Sequence, residues 1–311
     1  MLTYLIILLD DTSTSYCHYE VNRKEHRLIS IEDLKAGIVW AMKENLNVQL
    51  VYPYYELPAA YLEAIDSVDH IDIKPYKDGN HADVVVLGSW DDDVPEQATC
   101  IIRSSRKELA EHIGNVCDWL MRLARLNVVL TDVEVFNDGD IEDYRNTLTA
   151  LTDSIATLYA NGHKPQLNLL TDRLMLSQMN NCGAGDSSVT LAPNGKFYLC
   201  PAFYYDDPVQ SIGDLTGGLA IRNPQLLRLY HAPICRRCDA YQCRRCIWMN
   251  GRLTMDANTP SHQQCVVAHL ERNASRELMT KLEKNGVHIT NIQPIEEITE
   301  LDPFNIVNRW K

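Results

Sequence analysis

The sequence lacks the long apolar runs and basic clusters that mark several common classes of protein. No run approaches the roughly 18 apolar residues of a membrane span. The 29 Lys and Arg residues are outnumbered by 42 Asp and Glu, which gives a net charge of -13. Phosphate contacts need clustered basic residues, so we expect no nucleic-acid partner, and we expect no membrane association. The apolar run from Leu5 to Leu9 is too short for a signal-peptide core, so we expect a cytoplasmic protein.

Two nucleotide-binding motifs are also missing. There is no G-x-G-x-x-G after a predicted strand and no G-x-x-x-x-G-K-[ST], which argues against nucleotide binding by these two routes.

The chain does contain ten cysteines. In a reducing compartment, closely spaced cysteines indicate a metal site rather than a disulfide framework.

The first half of the chain alternates between apolar strand patterns and helical patterns. We predict six strands, near residues 5, 50, 85, 101, 129 and 168, and a short extended piece at 70–73. Ser30 with Asp33, and Ser105 with Glu108, have the spacing of capping boxes that begin helices. The alternation predicts an α/β fold with a parallel sheet, either doubly wound or an incomplete barrel. Ligands would then lie at the carboxyl ends of the strands.

The pattern changes after residue 180. Asn194-Gly195 lies between two alternating runs, 188–192 and 196–200, and predicts a β-hairpin. A short helix is expected over 225–230 and a long one over 263–283, with Cys265 in the first turn of the long helix. A last strand is expected over 287–292.

Seven cysteines follow a spacing that fits neither a strand nor a helix: Cys182, Cys200, Cys235, Cys238, Cys243, Cys246 and Cys265. The dense run among them lies between arginines, so it cannot fold by burying itself, and we predict that it binds metal. A zinc site would pair the first two thiols of the run with the last two, but such pairs usually lie about 15–20 residues apart.

Iron–sulfur clusters tolerate shorter spacings, and the last cysteine of a run can ligate a second cluster. This divides the thiols into Cys235, Cys238, Cys243 and Cys265 on one cluster, and a second set on another cluster: Cys182, Cys200 and Cys246. The set of three leaves one iron position open, for which His231, His262 or a substrate thiolate are candidates. Cys17 with His18 is a weak candidate for a remnant site, whereas Cys100 and Cys117 fit the core.

The order of these cysteines, with Gly195 between the first two, resembles the SPASM domain of radical SAM peptide-modifying enzymes. The segments 190–201 (TLAPNGKFYLCP) and 212–215 (IGDL) are similar to it as well. The family's run is usually C-x2-C-x5-C-x3-C, and here the two later gaps are each one residue shorter. The resemblance implies two [4Fe–4S] clusters and a partial (β/α)6 barrel at 1–175, a SPASM-type domain at 176–275 and a helix end with a tail at 276–311.

The radical SAM signature C-x3-C-x2-C is missing from the loop after the first strand. Its three positions are occupied by Ser13, Cys17 and Glu20, and the segment 53–58 (PYYELP) replaces the family's glycine-rich turn. The chain therefore resembles the CXXX repeat peptide maturase family. This implies a degenerate barrel that neither binds nor cleaves S-adenosylmethionine. It also implies a cysteine-containing precursor peptide and a partner radical SAM/SPASM enzyme.

Three functions remain open from the sequence. The chain could take part in maturing a ribosomally made peptide, either as the maturase or as its accessory subunit. It could be an independent enzyme acting through the open iron. The alternative without redox chemistry is a zinc-stapled peptide-binding scaffold.

Overall fold

The computed structural model describes residues 2–77 and 82–295. The end of the predicted tail, residues 296–311, lies outside the described residues. The chain forms two compact units, each built from two stretches: Met1–Gly88 with Gly183–Arg228, and Ser89–Cys182 with Leu229–Lys311. The domain boundaries at 175 and 275 stay a prediction.

The strands in chain order are β1 (Tyr4–Leu8), β2 (Asn47–Val51), β3 (His70–Pro75), β4 (Val84–Leu87), β5 (Thr99–Ser104), β6 (Arg125–Leu130), β7 (Ser188–Leu191), β8 (Phe197–Tyr198), β9 (Gly213–Asp214) and β10 (Gly218–Leu219). The helices are α1 (Ile31–Lys43), α2 (Ala59–Ile65), α3 (Arg106–Glu111), α4 (Ile113–Arg122), α5 (Asp138–Ala160), α6 (Asp172–Met175), α7 (Pro201–Asp206), α8 (Ile247–Thr254) and α9 (His262–Lys284).

The strands of the first unit have the order β4-β3-β2-β1-β7-β8, and all neighbours except β7 and β8 are parallel. The central position of β1 explains its continuous apolar run, because a strand covered on both faces needs no polar alternation. Leu5, Ile7 and Leu8 are fully buried. The predicted parallel α/β class is confirmed.

Helix α1 is part of the first unit and buries one side of its surface. The side chain of Ser30 accepts a hydrogen bond from the Asp33 amide and caps the helix. Gly37 permits a close approach to the sheet, because a Cβ at this position would lie 2.5 Å from a methyl group of Leu191. The stripe of Leu34 and Ile38 is buried.

The predicted hairpin is confirmed, and it extends the sheet of the first unit. Thr190 faces Tyr198 in the antiparallel pair β7–β8, while β7 also pairs in parallel with β1. Gly195 has a φ of +73°, a conformation that glycine adopts at low cost.

The second unit contains the parallel pair β5–β6 and the packed helices α5 and α9. The Tyr144 hydroxyl on α5 donates a 2.9 Å hydrogen bond to Glu271 on α9. Ser105 and Glu108 form the predicted capping box, but the helix is interrupted at His112 and continues as α4. Helix α5 begins at Asp138, and Asn137 is its N-cap residue.

Three predicted elements are wrong. Residues 166–170 form no strand beyond a single bridge from Leu167 to Leu126, because the Thr171 hydroxyl bonds both the amide and the carbonyl of Leu167 and closes a turn. Residues 287–292 lie outside any strand, and 225–230 divides into two 3-10 segments, Pro224–Leu227 and Leu229–His231. The extended piece at 70–73 is a full strand, β3.

Across the described parts of the chain, every helix is too short or too polar to span a membrane.

Gly213 lies in the short hairpin β9–β10 at a position where any larger residue would be strained. Its φ is +135°, and a Cβ there would overlap the carbonyl oxygen of Gly218. We expect Gly213→Ala to lower the free energy of unfolding by about 1–3 kcal/mol, measured by urea denaturation with circular dichroism. Gly217→Ala is the matched control, since a Cβ there meets its nearest atom at 3.5 Å. Equal losses in the two variants would contradict this role for Gly213.

Candidate metal centres

The dense cysteine run belongs to the second unit and is held in turns rather than in regular elements. Cys235 begins a 3-10 segment, Cys235–Arg237, and is 7% exposed. The Cys243 amide donates to Ala240, and Cys246 is the N-cap residue of α8. Cys265 lies in the first turn of α9, as predicted, where Ser261 and Gln264 form a capping box.

Four of the thiols form one electrostatically coupled group. Burial raises the pKa of Cys238 to about 11 and that of Cys265 to about 12, and it also raises those of Cys235 and Cys243. The next causes include repulsion from neighbouring thiols: Cys243 is affected by the other three, and Cys265 by Cys235 and Cys238. These are the four thiols assigned to one cluster from the sequence.

The spacing of thiolates differs between a single zinc ion and a cluster. Neighbouring thiolates around one tetrahedral zinc lie about 3.8 Å apart, given a Zn–S distance of about 2.3 Å. Within residues 2–77 and 82–295, the one set of three ligand atoms that all lie within 4.8 Å of each other is formed by Cys238, Asp239 and His269. Of the four thiols, Cys238 belongs to that group. A cluster separates its thiolates further, because its irons and sulfides lie between them.

Three buried arginines interact electrostatically with two of the thiols, Cys235 and Cys238. The exposed fractions of Arg173, Arg245 and Arg272 are 1%, 3% and 0%. Arg245 lowers the pKa of Cys235 and Arg272 that of Cys238 in opposition to burial, and Arg173 also interacts electrostatically with Cys238.

These three arginines, here called the arginine shell, have both charged and neutral hydrogen-bond partners. Asp239, which is 2% exposed, receives two 2.8 Å hydrogen bonds from Arg272. Arg245 donates to two neutral amides, Asn258 at 2.7 Å and Asn181 at 3.3 Å. Burial raises the pKa of Glu271 to about 7, so this carboxyl is about half ionised at pH 7.

Buried charge is costly unless it is compensated. Four thiolates around either a zinc ion or an oxidised [4Fe–4S] core leave a net charge of about -2. Three buried guanidinium groups place positive charge near these thiols. The residues around the thiols therefore fit a dianionic metal–thiolate centre.

His269 and Asp239 are additions that the sequence reasoning missed. The His269 Nδ1 atom lies 2.7 Å from the Cys265 carbonyl oxygen, and its Nε2 atom lies 3.8 Å from the Cys238 sulfur. Because both carboxylate oxygens of Asp239 are bonded to Arg272, the close group of Cys238, Asp239 and His269 is better explained as support for the thiols than as a separate ion site. His269 follows Cys265 by one helical turn, a spacing that could have identified it.

The three-cysteine set is distributed over both units. Cys182 and Cys246 belong to the second unit, where the exposed Cys182 donates its amide proton to the Arg244 carbonyl at 3.1 Å. Cys200 belongs to the first unit, as the N-cap residue of α7. Their joint ligation of a cluster stays a prediction. His231 and His262, the candidate fourth ligands, are both exposed.

The loop after β1 in the first unit carries the three signature positions. Ser13 is fully buried, and its hydroxyl donates to the Val51 carbonyl at 2.8 Å and accepts from the Asp10 amide at 3.0 Å. Cys17 and His18 are partly exposed, and Glu20 is exposed. The loop thus offers one thiol, whereas a cluster with an open iron for S-adenosylmethionine needs three. These residues do not fit that group.

An ion-pair network that we did not predict anchors the same loop. The buried Asp11 carboxylate pairs with Arg23 at 3.3 Å and with Arg27 at 3.1 Å, and it accepts a hydrogen bond from the Tyr204 hydroxyl on α7. The Arg23 guanidinium also lies 3.9 Å from the centre of the Tyr204 ring. Asp10 is bound by the Tyr55 hydroxyl at 2.8 Å. Protein side chains therefore fasten this loop.

Comparison with solved structures identifies the fold. The chain has a radical SAM/SPASM fold. It is similar to anSMEcpe, an anaerobic sulfatase-maturating radical SAM/SPASM enzyme, solved with bound AdoMet and a Cp18Cys peptide, with a TM-score of 0.59 and 13% identity over 90% of this chain and 99% of that one. A second anSMEcpe structure, with a Kp18Cys peptide, gives 0.58 and 13% over the same shares.

A further similar structure is SuiB from Streptococcus suis bound to its precursor peptide SuiA, with a TM-score of 0.42 and 12% identity over 66% of this chain and 61% of that one. No protein-family model matches the chain, and no curated protein matches its sequence. The predicted radical SAM-like fold is confirmed.

The raised pKa values of these four thiols predict proton release on metal binding. Their raised pKa values keep them protonated in the folded, metal-free chain at pH 7, and they must lose these protons to bind metal. Because the pKa values of these thiols are higher in the folded chain, their protonated form contributes fully to the stability of the metal-free chain below the unfolded-state pKa of about 8.5. This contribution is lost as the pH rises towards the folded-state values of about 11–12.

We therefore expect Cys265→Ala to release about one proton fewer than the unchanged chain during anaerobic Zn²⁺ titration, measured with a pH indicator in weak buffer. Cys100→Ala is the control, because Cys100 is a buried thiol of β5 whose pKa burial raises to about 12. An equal decrease in both variants would contradict the assignment of Cys265 as a ligand.

Proposed function

We propose that this chain is an iron–sulfur protein that takes part in maturing a ribosomally made, cysteine-repeat peptide, together with a partner radical SAM/SPASM enzyme. The observation that carries the proposal is a group of four buried or half-buried thiols beside the arginine shell, in a chain of radical SAM/SPASM fold. The chain acts as the maturase or as its accessory subunit.

Cys235, Cys238, Cys243 and Cys265 would hold one [4Fe–4S] cluster. The arginine shell supports this assignment, because it lowers the cost of burying the dianionic centre. Cys182, Cys200 and Cys246 would hold a second cluster, with one iron position left for a ligand from outside. Clusters held in this way supply one-electron transfer and a place for a thiolate.

Peptide binding is the second part of the proposal. Two anSMEcpe structures contain bound cysteine peptides, and this chain has the same fold. A cysteine of the precursor could provide the missing fourth ligand. The exposed sulfur of Cys182 is consistent with access from solvent on that side.

The third part is that the chain does not cleave S-adenosylmethionine. Ser13 directs its hydroxyl to backbone groups, Glu20 is exposed, and Cys17 alone offers a thiol. The partner enzyme would therefore generate the radical.

Incubation with S-adenosylmethionine and dithionite tests this third part. We expect the anaerobically purified protein to form no 5′-deoxyadenosine above the protein-free control, measured by liquid chromatography. Cys17→Ala should behave identically. Product that forms with the unchanged chain and disappears in Cys17→Ala would contradict the degenerate barrel.

Electron paramagnetic resonance of the reduced protein tests the open position. We expect a cysteine-containing peptide to change the spectrum and its serine analogue to leave it unchanged, because a thiolate binds iron more strongly than a hydroxyl does. Cys246→Ala should abolish the change, whereas Cys117→Ala should retain it. A change that persists in Cys246→Ala would contradict the three-cysteine assignment.

A further inference from the structure

The second unit contains a wide groove that none of the assigned residues explains. Its volume is about 970 Å³, and it is bounded by the C-terminal end of α5, by α6 and by the segment that follows α9. The exposed Met175 side chain and the ring of Tyr159 contribute apolar surface to its wall.

The charge of the groove is opposite to that of the chain. Basic side chains line it from four segments: Arg125, His163, Lys164, Arg244 and His288. Asp172 is the single carboxylate among the described residues of its lining, and it is already paired with Arg125 at 2.7 Å. Lys164 and Arg244 therefore dominate the field inside, although the chain as a whole carries a charge of -13. Such a concentration of one sign in a concave surface favours ligands of the other sign.

The groove lies beside a thiol of the three-cysteine set. Asn180 and Arg244 both line it, and the carbonyl of Arg244 accepts the amide proton of Cys182 at 3.1 Å. A peptide lying in the groove would contact Asn180, which is two residues before the exposed Cys182.

We propose that this groove binds an acidic, partly apolar segment of a peptide and guides the peptide's cysteine towards Cys182. This inference rests on the proposed function, because it assigns a recognition site to the same precursor. Charge complementarity selects glutamate- and aspartate-rich sequences, and the apolar wall favours a peptide with hydrophobic side chains over a nucleic acid, which would present mainly phosphates and sugars.

Fluorescence anisotropy tests the groove with the full-length, anaerobically purified protein. The probe is a fluorescein-labelled peptide of alternating glutamate, leucine and alanine, and its glutamine analogue is the neutral control. We expect Lys164→Glu to weaken binding of the acidic peptide about tenfold, because a favourable charge contact becomes a repulsive one. Added salt should weaken binding by the unchanged protein.

Lys35→Glu is the matched control, since it makes the same charge change at an exposed position of α1 in the other unit. Equal weakening by Lys164→Glu and Lys35→Glu would overturn the proposal, as would equal affinity for the acidic and glutamine peptides. A single-stranded oligonucleotide that binds as tightly, with the same loss in Lys164→Glu, would make the groove a phosphate site instead.

Two further outcomes separate this inference from the proposed function. Binding that appears only after removal of residues 296–311, which include Glu296, Glu297 and Glu300, would make the chain's own tail the occupant and overturn the proposal. Iron and sulfide are measured on the same samples. Peptide binding without clusters would retain the groove and reject the iron–sulfur assignment, whereas clusters without peptide binding would do the reverse.

Discussion

The balance between four thiols and three buried guanidinium groups is the constraint on which the second unit depends. A metal-free site would place protonated thiols beside three buried arginines, of which Arg272 is paired with Asp239. A metal–thiolate centre with a charge of about -2 would place negative charge beside these arginines. The interactions reinforce each other, because Arg272 holds Asp239 while the His269 ring contacts both the Cys238 sulfur and the Cys265 carbonyl. Folding of this cysteine-rich segment and metal binding should therefore be coupled.

In the first unit, an ion-pair network stabilises the loop after β1. The loop after β1 carries a network of Asp11, Arg23, Arg27 and Tyr204 in place of a full set of thiols. An ion pair of this kind can fix a loop and needs no cofactor, but it supplies no redox chemistry. The loop after β1 thus offers one thiol, whereas the cysteine-rich region places four thiols near one another. We propose that this combination suits electron transfer or peptide handling better than radical generation.

Local sequence signals predicted the local structure well. The apolar run of β1, the Asn194-Gly195 turn and the Ser30 and Ser105 caps each act over a few residues, and each appears as expected. The strand predicted at 166–170 failed, because Thr171 redirects its backbone hydrogen bonds into a turn. The sequence predicted only part of the candidate site. Thiol spacing supplied the predicted ligands. Asp11 and Tyr204, in contrast, lie 193 residues apart, and the pairing of Asp239 with Arg272 depends on tertiary contacts that no short motif records.

The metal content of the anaerobically purified protein tests the central claim most directly. We predict about eight irons and an equal amount of sulfide per chain, with broad visible absorption that bleaches on reduction. Cys265→Ala should lose about half of both elements, whereas Cys100→Ala should retain them. One or two zinc ions per chain without sulfide, even after reconstitution with iron and sulfide, would contradict the account and make the cysteine-rich region a structural staple.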